Sequence, residues 1–474
     1  MTEDALAIVR EAIRAVDPVV AIKRHVKVYK DELHIVDEHH DHEKEVNYCE
    51  TTVLKMQDYS NVLLFAFGKA SSAMAATCIQ QLQMLPSCPS IEGVVIVKDD
   101  HGTPQELQAL QDAGIFVQTA SHPVPDERSV EGAKRIMELA WKHASSDTLV
   151  LCCISGGGSS LFCHPIPPLT LDDLIQTNKV LLSSGLDIQD MNVIRKRLET
   201  GKGGKLLKAC GDAEVVTLIL SDIIGDPLDL IASGPTVRDT STAQDAWNLV
   251  ETTNILLQEL PTSVLEVLKQ VKENPSETSD SSDPPLTFLV GNNQMALGAA
   301  MKKAMQLGYF AVHSARSPFN EEAKTVGEMH VAMAQHLRNS PPEENKMGLE
   351  YYALIRGGES TVSLGSNPGK GGRNQEVALS AALSMYTLRL RDVVLASVGT
   401  DGTDGPTDAA GAIVDGGTVM RLKGNADLAL RTHDAYPYFD QVEADGHSPL
   451  IKTGPTGTNV ADICVALIHG GDQD

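Results

Sequence analysis

Six stretches of the chain gather residue types that could hold or move a phosphoryl group. In FAFGKASS, Gly68 permits a tight turn, Lys69 projects an ammonium, and Ala70-Ser71-Ser72 opens a helical pattern. Backbone N–H groups freed at such a turn make, with one cation, a phosphate site. CCISGGGSSLF sets three successive glycines, Gly156, Gly157 and Gly158, between Ser155 and the pair Ser159-Ser160. That many glycines carry an entropic cost a plain strand-to-helix connection does not require, which favours close approach of backbone to a ligand. NVIRKRLETGKGGKLLK clusters Arg195, Lys196, Arg197, Lys202, Lys205 and Lys208, opposed within the stretch only by Glu199. It suits either a local anion site, with Lys202 and Lys205 as ligands, or a solvated helix face.

Carboxylates recur at comparable places. Asp222 ends the strand-like EVVTLILSD, and VGTDGTDGPTDAAGA places Asp401, Asp404 and Asp408 on a loop after another strand. The spacing is not that of an EF-hand, because glycine and threonine stand where ligands are needed and no Glu closes the loop. Asp222, Asp401 and Asp404 suit Mg²⁺, which takes few protein ligands and shares phosphate oxygens; turn-capping is the ordinary alternative. Between these, GSNPGKGGRNQE carries Lys370, Gly371, Gly372, Arg373 and Asn374 on a glycine-rich loop that runs into a helix. No GxxxxGK[ST] and no GxGxxG occurs in the sequence. Phosphoryl transfer without a P-loop, in a cleft between domains, is therefore the expected chemistry. Asp222 or Asp404 would accept the substrate proton, and the missing fingerprint disfavours a dinucleotide oxidoreductase.

Such residues need a scaffold that presents strand ends. Apolar runs (NVLLFAF, GVVIV, GIFVQ, TLVLCCI, EVVTLILSD) alternate with helical patterns at Ala70–Gln83, Ser129–His143, Leu171–Ser184 and Met191–Leu198. This argues for a parallel sheet covered on both faces, which binds ligands at its carboxyl edge. An earlier helix is expected over Ala5–Ala15, from Leu6, Val9 and Ile13. The polar stretch NPSETSDSSDPP, 274–285, divides a domain at 1–273 from a smaller one at 286–474 that opens with TFLVG. From His34 to Glu45 runs a histidine-rich patch with His39, His40 and His42, read as a solvated hairpin loop rather than a metal site. With 474 residues, the chain is long enough for two α/β domains. A formal charge of -24 and 4% aromatics disfavour nucleic acid and anionic membrane as partners. Eight cysteines without CxxC spacing, an acidic start and no apolar run of membrane length point to a soluble protein in a reducing compartment.

Taken in order, FGKAS, SHPVPD, ISGGGSSL, MNVIRKRLETGKGGKL, LSDIIGDPLDLIASGPT, GGRNQE, GTDGTDGPTDAAGA and GPTGTNVADI resemble the class II glycerate kinases. The similarity runs from Gly68 to Asp462, and its C-terminal part resembles the multi-organism fragment with rich leucine. The resemblance implies a Rossmann-like three-layer N-terminal domain, a smaller C-terminal α/β domain, and an active site in the cleft between them. It implies ATP-dependent phosphorylation of D-glycerate, with the 3-phosphate preferred over the 2-phosphate. It also places the family's functional lysine on Lys69 and its functional arginine on Arg373. Ala66 departs from the glycine that members usually carry two places before the Gly-Lys pair. The associated expectations are ATP and Mg²⁺ as cofactors, a cytoplasmic location with a mitochondrial pool, and compatibility with a homodimer. Two competing readings stand beside it: a hydroxypyruvate reductase, a label members of this family have carried, and a non-catalytic phosphometabolite sensor.

Overall fold

The computed structural model describes residues 1–41, 46–273, 285–313, 317–340, 342, 345, 348–365, 367–441 and 448–470, with backbone alone at 38–41, 46–49 and 313. The chain divides into two compact units, one of Pro18–Val290 and one of Met1–Asp17 with Gly291–Asp474.

In the Pro18–Val290 unit, β1 (Val26–Tyr29), β2 (Glu32–Asp41) and β3 (Val46–Lys55) form a small antiparallel sheet. Most of the histidine-rich patch is thus strand rather than loop, because the β2–β3 ladder continues to the pair Asp41↔Val46. His42 and the turn lie outside the described residues, as do the side chains of His39 and His40. The principal sheet comprises β4 (Asn61–Gly68), β5 (Ser90–Lys98), β6 (Phe116–Ala120), β7 (Thr148–Ser155), β8 (Glu214–Leu220) and β9 (Leu286–Gly291). Its order is β6-β5-β4-β7-β8-β9, and β4 to β8 pair in parallel. Counted along the sheet this is the doubly wound order 3-2-1-4-5-6, whose strand order reverses between β4 and β7. Every residue of β7 is buried, as expected for a strand covered on both faces. Against one face pack Ile136, Met137 and Ala140 of the helix Glu127–Lys142. A separate apolar cluster joins the helices Leu171–Ser183, Ile188–Leu198, Ala243–Thr252 and Thr262–Glu273.

The second unit holds a mixed sheet of β10 (Phe310–His313), β11 (Tyr351–Gly358), β12 (Val393–Gly399), β13 (Gly411–Asp415), β14 (Leu450–Ile451) and β15 (Asp462–His469), in the order β10-β11-β15-β12-β13-β14. Because β15 runs antiparallel to both β11 and β12, its first residue, Asp462, faces Gly358 on one side and Gly399 on the other. The ends of β11 and β12 and the start of β15 therefore share one edge.

The boundaries differ from those expected at 1–273 and 286–474 in two respects. TFLVG does not open the second unit but supplies β9, the sixth strand of the first sheet. The first helix, Thr2–Ala15, belongs to the other unit: it buries Ala5, Ile8, Val9 and Ala12, and Asp4 accepts a 2.7 Å hydrogen bond from Tyr309. Most of the 274–285 stretch lies outside the described residues.

Candidate active site

In the first unit the sequence-predicted residues gather at the point where the strand order reverses. Lys69 follows β4 and Gly156 follows β7, and the Lys69 N–H donates to the Gly156 carbonyl at 2.8 Å. Ser155 Oγ accepts from the Ala70 N–H at 3.0 Å, so this buried hydroxyl braces the Gly-Lys turn. Gly68 has φ +129°, and a Cβ there would stand 2.2 Å from Ser155 Oγ. Its glycine is needed for the contact between the two loops as much as for the turn. At Gly156 a Cβ would lie 2.0 Å from Asp222 Oδ2, so the absence of a side chain lets that carboxylate approach the loop. At Gly157, φ +81°, the nearest atoms to a Cβ are His122 Cδ2 and Nε2 at 2.9 Å and Lys69 Cγ at 3.4 Å. The glycine loop is thus flanked by Asp222 on one side and by His122 and Lys69 on the other. Ser159 Oγ lies 3.1 Å from Ser233 Oγ, which donates to Asn192. Ala66 is fully buried mid-strand, opposite Val95 and Cys153, so its methyl belongs to the sheet core.

A Gly156→Ala substitution is expected to displace Asp222 while leaving Lys69 in place. Its signature would be a higher Mg²⁺ requirement for turnover with an unchanged circular dichroism spectrum. Unchanged Mg²⁺ dependence would remove Asp222 as a metal ligand.

The basic cluster requires correction. Lys202 is 3% exposed, pairs with Glu199, and donates to the Ser159 carbonyl at 2.7 Å. Lys205 donates to the carbonyls of Lys196 and Glu199, and burial, reinforced by the Arg197 charge, pulls its ammonium down to about 8. Lys196 pairs with Asp229 and Asp239, at 3.2 and 3.4 Å, and Arg197 with Asp239 at 2.9 Å. Neither an anion site nor a solvated helix face describes these residues. They are internal braces, and the carboxylates that oppose Lys196 and Arg197 lie some thirty to forty positions further along the chain. Lys202 still bears on the site by fixing the Ser159 end of the glycine loop.

In the second unit Arg373 is the first residue of the helix Arg373–Leu388. Its Nε lies 2.7 Å from Asp462 Oδ2 and its Nη2 donates to Asp462 Oδ1 at 3.0 Å, while Nη1 donates to Glu359 at 2.8 Å. Asp462 is fully buried and accepts a further 2.9 Å bond from Asn374 Nδ2. Burial pushes the Asp462 carboxyl up to about 7, against the opposing pull of Arg373 and Asn374. The guanidinium is itself held more firmly protonated by Asp462 and Glu359, which outweigh its partial burial.

Asp404 has a different role from the expected metal ligand or base. Its carboxylate accepts from the backbone N–H groups of Asn374 and Gln375, at 3.0 and 2.8 Å, and from Gln375 Nε2 at 3.0 Å. It caps the helix that carries Arg373. Burial raises its carboxyl pKa, and those amide donors hold the rise back. Gly372 makes room for the cap: a Cβ there would lie 2.3 Å from Asp404 Cγ. Asn374 is likewise spent internally, between Asp404, Asp462 and the hydroxyl of Ser397. Gly371 packs its carbonyl against Gly405. The Asp404 and Asn374 side chains therefore position Arg373, and Gly371 and Gly372 allow the close packing around them. Asp401 folds back to accept from the N–H of Thr403, and exposed Asp408 takes the Tyr436 hydroxyl and Lys452. Asp404→Asn should destabilise the protein by about 1–3 kcal/mol in urea denaturation without added metal, because an amide cannot accept from both backbone donors. An unchanged midpoint would return Asp404 to the metal-ligand reading.

Among the described residues no cluster of three or more His, Cys, Asp or Glu side chains could hold a metal ion. Mg²⁺ does not demand such a cluster, since one carboxylate and the nucleotide phosphates suffice. Asp222, beside the glycine loop, fits that role. No described helix is long and apolar enough to cross a membrane. The seven described cysteines are free thiols.

Sequence reasoning missed Asp462, His122 and Lys98. Asp462 and His122 lie inside recognised stretches, GPTGTNVADI and SHPVPD, but only the ladders place them beside functional groups.

Comparison with known proteins identifies the family. Residues 4–269 match a domain of unknown function, DUF4147, and residues 352–462 match the MOFRL family. A protein of Pyrococcus horikoshii named glycerate 2-kinase is 35% identical, with 98% of this chain and 97% of that protein covered. The crystal structure of a Thermotoga maritima glycerate kinase superposes with a TM-score of 0.78 at 33% identity, over 98% of this chain and 99% of the other. An Agrobacterium vitis relative, 37% identical over 85% of this chain and 86% of its own, carries a hydroxypyruvate reductase name of provisional status. With both family matches in place and full-length relatives above 30% identity, the chain belongs to the class II glycerate kinase family.

Proposed function

We propose that the protein transfers the γ-phosphoryl group of ATP to D-glycerate. The observation that carries this reading is the pair of loops at the reversal point of the doubly wound sheet, where Lys69 and the Gly156–Gly158 turn are bonded together. Relatives named for glycerate kinase over almost the whole chain support it. Phosphoryl transfer is mainly positioning and charge neutralisation. Lys69 and Arg373 are the two cations suited to that work, one at the glycine loop and the other fixed by Asp462 and Glu359. Asp222, beside the glycine loop, would receive the substrate hydroxyl proton or hold Mg²⁺. Bound with the nucleotide, Mg²⁺ would offset phosphate charge.

Release of ADP that requires both D-glycerate and Mg²⁺ tests the proposal. ADP release independent of glycerate would overturn it. Steady oxidation of NADH in the presence of hydroxypyruvate, read at about 340 nm, would instead establish the reductase. The family resemblance favours transfer to the 3-hydroxyl, whereas the name of the Pyrococcus relative points to the 2-hydroxyl. Proton-coupled phosphorus NMR separates them: a CH₂–O–P linkage gives a triplet and a CH–O–P linkage a doublet. A cytoplasmic location and compatibility with a homodimer complete the proposal.

A further inference from the structure

We propose that Lys98 and His122, beside Lys69, form an oxyanion subsite that seats either the carboxylate of the hydroxy acid or the nucleotide phosphates. The inference deepens the kinase reading, from which it takes the two substrates.

The strand ladders bring these residues to one edge. Gly68 of β4 is paired with Val97 of β5, so Lys69 and Lys98 are the next residues outward on adjacent parallel strands. Lys98 is in turn paired with Ala120 of β6, and His122 lies two residues beyond. The Asp99 N–H donates to the Ala120 carbonyl at 2.9 Å, which ties the ends of β5 and β6 together. From the other side, Gly157 brings the β7 loop against the His122 ring and the Lys69 stem. The ends of β4, β5 and β6 thus share one edge, and the glycine loop after β7 reaches the imidazole there.

The nearby carboxylates are engaged elsewhere. Asp99 is bound by Arg128 through two bonds, of 2.8 and 2.6 Å, and Glu106 takes the Ser72 hydroxyl and caps its own helix. Asp100 acts on His101 rather than on His122. Among the described residues Lys69 and Lys98 have no carboxylate partner, and His122 has no hydrogen bond. All three are half-buried in a protein whose formal charge is -24. Two unpaired ammonium groups and an unpartnered imidazole are costly neighbours in such a position. Burial, with Lys69, Lys98 and His101 adding to it, depresses His122 to about 4, so the ring is neutral near pH 7. A neutral imidazole donates one directional hydrogen bond, and the flanking ammonium groups supply the charge. A bound oxyanion would offset the two ammonium charges and accept the hydrogen bond of the imidazole.

The test compares Lys98→Met, His122→Leu and His122→Gln with the wild type, with melting temperature as the control for folding. Loss of one charge-assisted contact should raise KM for one substrate, D-glycerate or ATP, by roughly ten- to a hundredfold. The other KM should stay within about twofold, and His122→Gln, which keeps a donor, should recover much of the loss. The substrate whose KM rises is the source of the oxyanion. If neither KM changes, or both rise together, the subsite is overturned. Should His122→Leu fail to fold, Lys98→Met carries the test. Direct binding separates this inference from the kinase reading. The His122 ring resonance should shift on addition of D-glycerate or ATP to the wild type, whether or not turnover occurs, and the shift should weaken in Lys98→Met. No shift with either compound would overturn the subsite even in an active enzyme.

Discussion

Lys69→Ala is expected to lower kcat by roughly 10²–10³-fold with little change in thermal stability. The structure separates the side chain from the fold. It is the Lys69 backbone N–H that bonds the Gly156 carbonyl, and that bond survives truncation. Among the described residues the ammonium has no carboxylate partner whose loss would strand a buried charge. Lys202→Ala should behave in the opposite sense. Its ammonium pairs with buried Glu199, so truncation leaves a carboxylate without its partner, a change that costs about 3–5 kcal/mol. Activity and melting temperature measured on both variants would distinguish them: a chemical loss at Lys69, a folding loss at Lys202. Near-normal turnover in Lys69→Ala would remove the Gly-Lys loop from the chemistry.

These two lysines also show what the sequence made legible. Both sit in Gly-Lys turns, and local pattern treats them alike. Lys69 could be placed correctly because NVLLFAFG reads as a buried strand and ligand sites cluster at such strand ends. Lys202 could not, because local pattern does not show that its ammonium is buried against Glu199 and the Ser159 carbonyl, while the partners of neighbouring Lys196 and Arg197, Asp229 and Asp239, lie beyond an intervening strand. The same limit governs the carboxylates. A turn carrying Asp401, Asp404 and Asp408 looks identical whether it binds metal or caps a helix, and only the fold shows Asp404 against the N–H groups of Asn374 and Gln375. Within GPTGTNVADI nothing in the local pattern marks Asp462 as the partner of Arg373. It opens a strand that the ladder inserts between β11 and β12, so its neighbours are set by pairing and not by spacing. The apolar runs announced β9 as a strand, yet which sheet it joins depends on the chain's path.

The largest effect in the second unit is expected at Arg373. Its guanidinium has five N–H donors in one plane. Asp462 engages Nε and one donor of Nη2, and Glu359 engages one donor of Nη1, which leaves one on each terminal nitrogen. Among the described residues those two donors are left for phosphoryl oxygens. Arg373→Lys keeps the charge but cannot satisfy Asp462, Glu359 and a phosphate from a single nitrogen. A fall in kcat of about 10²–10³-fold, with a smaller change in KM for ATP, is the expected result. Asp462→Asn should give a smaller fall, since the arginine remains but loses its bidentate anchor. Because the two act as one unit, the double variant should lose less than the product of the single effects. Full multiplicativity would mean that Asp462 does not position the arginine. The pH dependence gives a second readout. Burial holds the Asp462 carboxyl near 7 in the folded protein, above the usual carboxylate value of about 4. Protonation below that point takes an acceptor from Arg373, so turnover should rise with pH through about 7 in the wild type. That limb should vanish in Asp462→Asn. Stability runs the other way: a raised folded-state pKa favours the fold below the unfolded value, and the advantage is lost as pH climbs through about 7. The melting temperature of Asp462→Asn should therefore gain on the wild type between about pH 4 and pH 7, the span over which the folded and unfolded carboxyls differ in protonation. If the acid limb persists unchanged in the variant, some other group titrates there and Asp462 serves the fold alone.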